Sequence, residues 1–149
     1  MSETPGQPVL SGRERLLGPL PVTVAADKAD ALGAALGSRR AGWVPAIFPI
    51  SWMTLPEISA AIMALADCEG GVLLHETQSF ECVTPLRTGR TYLLMVTIRI
   101  QDQDPPRVSL QGVVSDPDDN ADPDGNVCAR FQAGLRIMVP RNGAGCADA

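Results

Sequence analysis

A chain of 149 residues with 45% hydrophobic and 19% charged side chains carries enough apolar material for one buried core, and its size fits a single domain. Seventeen acidic against 12 basic residues leave a net charge near -5, and no run of Lys or Arg is present to neutralise a phosphate backbone, which argues against nucleic acid as a partner. No segment approaches the ~18 apolar residues of a membrane-crossing helix, and the first fifteen residues lack an apolar stretch behind a basic flank, so the expected location is the cytoplasm.

Residues 1 to 18 are rich in Pro, Gly and polar types and are expected to be a flexible leading segment. Residues 19 to 140 form the expected domain, and residues 141 to 149 a flexible tail. Leu20-Pro21-Val22-Thr23-Val24 predicts a short strand. Residues 26 to 36 predict a helix, Ala-rich, with Asp27 near its start and Gly37 at its end. Trp43-Val44-Pro45-Ala46-Ile47-Phe48-Pro49 is apolar but has prolines at a spacing that opposes helix, which predicts irregular chain held against a core.

A second helix is expected from Thr54 as N-cap, with Pro56 in its first turn and Glu57 completing the capping arrangement. Residues 58 to 66 are almost wholly apolar, so this helix is expected to be buried on several sides. Gly70-Gly71 stops it. Residues 72 to 83 alternate as a strand, placing Val72, Leu74, Phe80 and Cys82 on one face together with Glu76 and Gln78. Pro85-Leu86-Arg87-Thr88-Gly89 reads as a turn. Strands follow at residues 92 to 100, 108 to 114 and 127 to 139, the last two joined by an acidic loop ending in Asp124-Gly125. The later half is thus expected to be an antiparallel meander.

One long buried helix before a run of antiparallel strands implies an α+β domain in which a curved sheet wraps around that helix, the hotdog architecture. Its edge strand and apolar margin favour pairing with a second copy or a related subunit. The segment Val44-Pro45-Ala46-Ile47-Phe48-Pro49 resembles the one preceding the buried helix in MaoC-like dehydratases. Val72-Leu73-Leu74-His75-Glu76-Thr77-Gln78-Ser79-Phe80-Glu81 with the turn at residues 85 to 89 is similar to the strand and "P-L-x-x-G" turn of the fatty-acid-synthase-type N-terminal hotdog domain. The resemblance implies an acyl-CoA or acyl-carrier-protein thioester as ligand, dimers or pseudo-dimers, and addition or removal of water at a carbon–carbon double bond.

Catalytic members of that family carry an Asp and a His in a segment resembling "D-x-N-P-x-H". The corresponding stretch in this chain, Gly37-Ser38-Arg39-Arg40-Ala41-Gly42-Trp43, has none of these residues. The first expectation is therefore a non-catalytic or partner-dependent subunit, paired as a homodimer or with a catalytic hotdog partner. The alternatives are a self-sufficient hydratase, dehydratase or thioesterase-like enzyme with a non-standard site, or a cyclase reusing the fold.

For such a site the candidates are His75, the single histidine, which can exchange protons near neutral pH, and Glu76, a carboxylate whose burial would raise its pKa. Trp43, Phe48, Trp52 and Met53 are candidates for lining an acyl tunnel. Cys68, Cys82, Cys128 and Cys146 lie too far apart for metal-ligand spacing and are expected as free thiols. The loop of residues 116 to 125 has oxygen ligands at alternating positions, but Ala121 and Val127 stand where a calcium loop needs Gly and Glu, so a solvated hairpin loop is expected. No metal and no cofactor is expected.

Overall fold

The computed structural model of the chain describes residues 13–38, 40, 42–66, 71–101, 105–117 and 126–138. The expectations for residues 141 to 149, for Cys68 and Cys146, and for the Asp124-Gly125 turn lie outside these residues. The elements in chain order are β1 (Glu14–Thr23), α1 (Ala26–Ala35), a 3-10 turn (Phe48–Trp52), α2 (Pro56–Ala66), β2 (Val72–Cys82), β3 (Thr91–Gln101), β4 (Arg107–Ser115) and β5 (Val127–Met138).

The five strands form one antiparallel sheet in the order β1-β3-β4-β5-β2. Two features depart from the sequence reading. First, β1 begins at Glu14, inside the leading segment of residues 1 to 18, and pairs along its length with β3. Second, only β3, β4 and β5 form the meander. β2 lies on the far side of β5, so the chain crosses the end of the sheet between β2 and β3. The crossing segment is tied down there: Leu86 is buried, the Gly89 N–H donates to the Val24 carbonyl, and the Arg87 N–H donates to the Tyr92 hydroxyl at 2.8 Å.

Strict alternation puts Tyr92, Leu94, Val96, Ile98 and Ile100 of β3 in the core, with Val108, Leu110 and Val114 of β4 and Ala129, Phe131, Ala133, Leu135 and Ile137 of β5. The opposite, outer face carries the polar members. α2 packs on the core side nearest β1 and β3. It buries Ile58, Ala61, Ile62 and Ala66, one stripe at helical spacing, while Ala60 and Ala64 stay exposed. Met63 and Leu65 beside that stripe are partly buried against the core, so the helix is covered over more than half of its girth and exposed along Ala60 and Ala64. Thr54 does not cap α2: its hydroxyl donates to the Ser51 carbonyl, and the Leu55 carbonyl accepts from Ile58 and Ser59.

Burial, chiefly, raises the pKa of Tyr92, the one tyrosine of the chain. A phenol whose folded pKa exceeds its unfolded value stays protonated longer in the native state. The unfolded state then binds fewer protons above pH ~10, and stability falls as pH rises through that range. An absorbance titration near 295 nm is expected to show phenolate appearing above the free-tyrosine midpoint, together with or after alkaline unfolding. Ionisation at the ordinary midpoint with the fold intact would contradict this packing.

Candidate functional site at the β2 edge

Among the described residues β2 is paired with β5 alone, so one side of its backbone is an open edge, and nine of its eleven residues are exposed. Its register decides which side chains face where. Leu73 pairs with Ile137 and His75 with Leu135; then the register shifts, and Thr77 pairs with Gly134, Gln78 with Ala133, Phe80 with Phe131 and Cys82 with Ala129. Directly opposed residues share a face, so Leu73, His75, Gln78, Phe80 and Cys82 stand on the core side of the sheet. Leu74, Thr77, Ser79 and Glu81 stand on the outer side.

The shift is a β-bulge at Glu76, and it overturns the face assignment made by plain alternation. A single extra residue flips every side chain beyond it. His75, expected opposite the apolar set, shares the core-side face with Gln78, Phe80 and Cys82. Val72 and Leu74, expected in the apolar set, lie outside and are 62% and 51% exposed. Gly134 accommodates the bulge: a Cβ there would lie 2.4 Å from the Thr77 hydroxyl oxygen, which leans over the bare glycine backbone.

Glu76 is not a buried carboxylate. It lies on the outer face, where Arg136 Nε donates to its Oε1 and the Arg107 guanidinium lies 3.5 Å from its Oε2. Two cations on neighbouring strands thus hold one carboxylate. It borders a groove of about 350 Å³ of mixed polar and apolar lining with Thr77, Ser79, Arg107, Gln132, Ala133 and Leu135. Glu76→Gln is expected to cost about 0.5–1 kcal/mol, in the range of exposed ion pairs, and a denaturant titration measures it; a loss above ~3 kcal/mol would mean that the pair is buried.

On the core-side face His75 and Gln78 are consecutive although two residues separate them, because the bulge adds Glu76 and their partners on β5, Leu135 and Ala133, are two positions apart. Their neighbours are apolar: Leu73, Phe80, and the buried Phe131, Ala133 and Leu135 of β5. Phe80 and Phe131 are in tilted ring contact at 6.4 Å. Gln78 is the site residue that sequence reasoning does not single out. Its spacing of three from His75 carries no signal on a regular strand. Among the described residues no charged side chain is buried, and the titratable side chains within the core are Tyr92 and Cys128.

The residues expected to line a tunnel lie elsewhere. Phe48 and Trp52 pack edge to face at 5.5 Å and, with Met53, are core residues. Trp43 is separate, 37% exposed and stacked over Gly33 of α1. Phe48 and Trp52 adjoin β1, four strand steps from β2, or roughly 19 Å at ordinary spacing. The structure therefore does not bring them to His75. Cys82 and Cys128 are free thiols. Asp116, the first residue of the acidic loop, pairs with Arg90 at 2.7 Å; the rest of that loop beyond Pro117 lies outside the described residues. Among the described residues no three potential metal ligands cluster, and no helix is long and apolar enough to cross a membrane.

The architecture is the hotdog fold. A chain of the HadBC (3R-hydroxyacyl-ACP dehydratase) complex of Mycobacterium tuberculosis superposes with a TM-score of 0.62 at 11% identity, covering 85% of this chain and 98% of that one. A hot-dog-like protein from Thermanaerovibrio acidaminovorans gives 0.60 at 15% identity, covering 89% and 92%. A probable thioesterase from Bartonella henselae gives 0.52 at 8% identity, covering 91% and 98%. At such identities the likeness is one of fold. No protein-family model matches the sequence, and no curated protein matches it either.

Proposed function

We propose that this chain is an acyl-thioester-binding hotdog subunit of the MaoC-like dehydratase type whose site is completed only when a second hotdog subunit pairs with the β2 edge. The observation that carries this reading is the core-side face of β2, where His75 and Gln78 stand over an apolar floor with no cover from the described residues of their own chain. Ala60 and Ala64 of α2 are a second uncovered apolar feature on the same side of the sheet. The nature of the solved neighbours, a hydroxyacyl-carrier-protein dehydratase and a probable thioesterase among them, adds support for a thioester ligand.

In the paired state the thioester carbonyl lies against Gln78 and His75, and the acyl chain along Phe80, Phe131 and Leu135. An amide N–H of Gln78 can donate to the carbonyl oxygen, and the imidazole of His75 can exchange a proton once a partner has removed it from bulk water. The stretch of residues 37 to 43 supplies no Asp or His to complete an acid–base pair. The subunit therefore binds thioester, and a catalytic partner supplies the missing group.

A second reading is favoured by the adjacency of His75 and Gln78: a homodimer that hydrates, dehydrates or hydrolyses thioesters by itself. Purified protein incubated with enoyl-CoA and 3-hydroxyacyl-CoA separates the two, following conjugated-thioester absorbance and free thiol. Binding without turnover is the expected result. Turnover lost in His75→Ala but retained in Glu76→Gln would establish the second reading. Turnover lost in Glu76→Gln with the fold intact would contradict a purely structural, outer-face role for Glu76.

A further inference from the structure

On the outer face of the sheet, opposite the thioester face, Ser109 of β4, Gly134 of β5 and Thr77 of β2 stand in one row. The row to one side carries Arg107 and Arg136, and the row to the other side Gln132 and Ser79. Gly134 therefore leaves bare backbone within a ring of polar side chains, inside the groove of about 350 Å³ that Glu76 borders. Thr77, Ser79 and Gln132 are exposed, and the Arg107 side chain is 42% exposed, so the ring is open to a ligand. Two guanidiniums share the one carboxylate of Glu76, which leaves a positive charge over, and Arg107 makes the longer contact of the two, at 3.5 Å. Among the described residues the hydroxyls of Thr77, Ser79 and Ser109 and the amide of Gln132 have no hydrogen-bond partner, and each can donate.

We propose that this groove binds a phosphomonoester with a small polar body: the phosphate on Arg107 and the hydroxyls of Ser109 and Thr77, the body toward Gln132 and Ser79. Charge sets the head group. A surplus guanidinium among hydroxyl donors suits an oxyanion with several acceptor oxygens, and a guanidinium matches phosphate with two parallel bonds. Size and lining set the body. Sites for small molecules begin at ~300 Å³, so the groove has room for more than a bare phosphate. No aromatic ring is among its described lining residues, so a flat base finds no stacking surface, whereas a polyol meets hydroxyl and amide groups. A second subunit paired along the β2 edge extends the sheet in its own plane and leaves this outer face open.

The test is a titration of the full chain, labelled with nitrogen-15, with glycerol 3-phosphate, inorganic phosphate and glycerol, following the backbone amides of Ser109 and Gly134. Glycerol 3-phosphate is expected to shift both saturably, with inorganic phosphate and glycerol each binding roughly tenfold more weakly or worse. Arg107→Gln is expected to weaken glycerol 3-phosphate by about tenfold or more, with the far-ultraviolet circular dichroism unchanged. Because that substitution also loosens the hold on Glu76, Ser109→Ala serves as a second variant that alters no charge, and it is expected to weaken binding about threefold. No saturable shift with glycerol 3-phosphate, equal affinity for inorganic phosphate, or unchanged binding in either variant would each overturn the proposal. So would shifts confined to His75 and Gln78, which would place the phosphate on the thioester face instead.

Discussion

Gly112→Ala is expected to destabilise the protein by about 2–3 kcal/mol, at the upper end of the range for overpacking a core. Gly112 sits in the middle of β4, opposite Phe131 of β5, on the core side. A Cβ built there would lie 2.1 Å from Cζ of the Phe131 ring and 2.2 Å from Cε1. The ring lies over the bare glycine backbone, so no rotation of the new methyl avoids it, and the ring has to move. Its movement is resisted by Phe80 at the β2 edge. For a chain of this length the loss corresponds to roughly 5–10 °C in Tm.

The cause is checked by a double-mutant cycle. Phe131→Leu opens space and is destabilising alone, but combined with Gly112→Ala it is expected to cost less than the two single losses together, by about 1 kcal/mol or more. Strict additivity in thermal or denaturant unfolding would mean that Phe131 does not rest on Gly112. Because Phe131 also floors the proposed thioester site, the same variants connect core packing to binding.

The second large effect is on assembly. An edge of eleven residues left open by the described residues, interrupted by the bulge, offers a row of backbone donors and acceptors to a second strand. If two copies pair antiparallel through β2, residues on either side of the symmetry axis face each other, and like charges placed there repel across the junction. Leu74 and Ser79 flank the bulge and are both exposed in the single chain. The double substitution Leu74→Lys with Ser79→Lys is therefore expected to leave the far-ultraviolet circular dichroism unchanged and to weaken self-association about a hundredfold or more. Sedimentation measures it directly. A dimer that survives these charges at its native affinity would place the interface elsewhere.

Much of the fold can be read from residue order. Residues 26 to 36 have the composition and first-turn acid of a helix, with Gly37 to close it, and α1 (Ala26–Ala35) occupies them to within a residue. β3, β4 and β5 follow from period-two alternation of β-branched residues, because both their strand neighbours and their core face reward that pattern. The place of β2 is not legible in the same way. Residues 83 to 90 fit a hairpin as well as a crossing, and what selects the crossing is the long-range fit of β1 beside β3 and the tie from Gly89 to Val24.

The site is legible in its residue but not in its geometry. His75 stands out as the one histidine, yet its face is set by a bulge, and the partner strand makes room for the Thr77 hydroxyl beside it 58 positions later, at the bare backbone of Gly134. Alternation read from β2 alone assigns His75, Val72 and Leu74 to the wrong sides for that reason. The same alternation makes Glu76 a buried carboxylate, where Arg107 and Arg136 instead hold it in an outer-face ion pair. Phe48, Trp52 and Met53 suit a tunnel as apolar residues ahead of the helix. They are core because the 3-10 turn folds them under β1, a contact no local pattern encodes.

Binding of an acyl thioester on the core-side face of β2 is tested most directly by the amide spectrum of the nitrogen-15-labelled chain during titration with hexanoyl-CoA. Perturbations are expected to cluster on β2 from Leu73 to Cys82 and on the facing residues of β5, and to weaken at least tenfold in a His75→Ala, Gln78→Ala variant. Saturable binding whose shifts leave β2 and β5 untouched, or no binding with the chain paired, would contradict a thioester site at this edge.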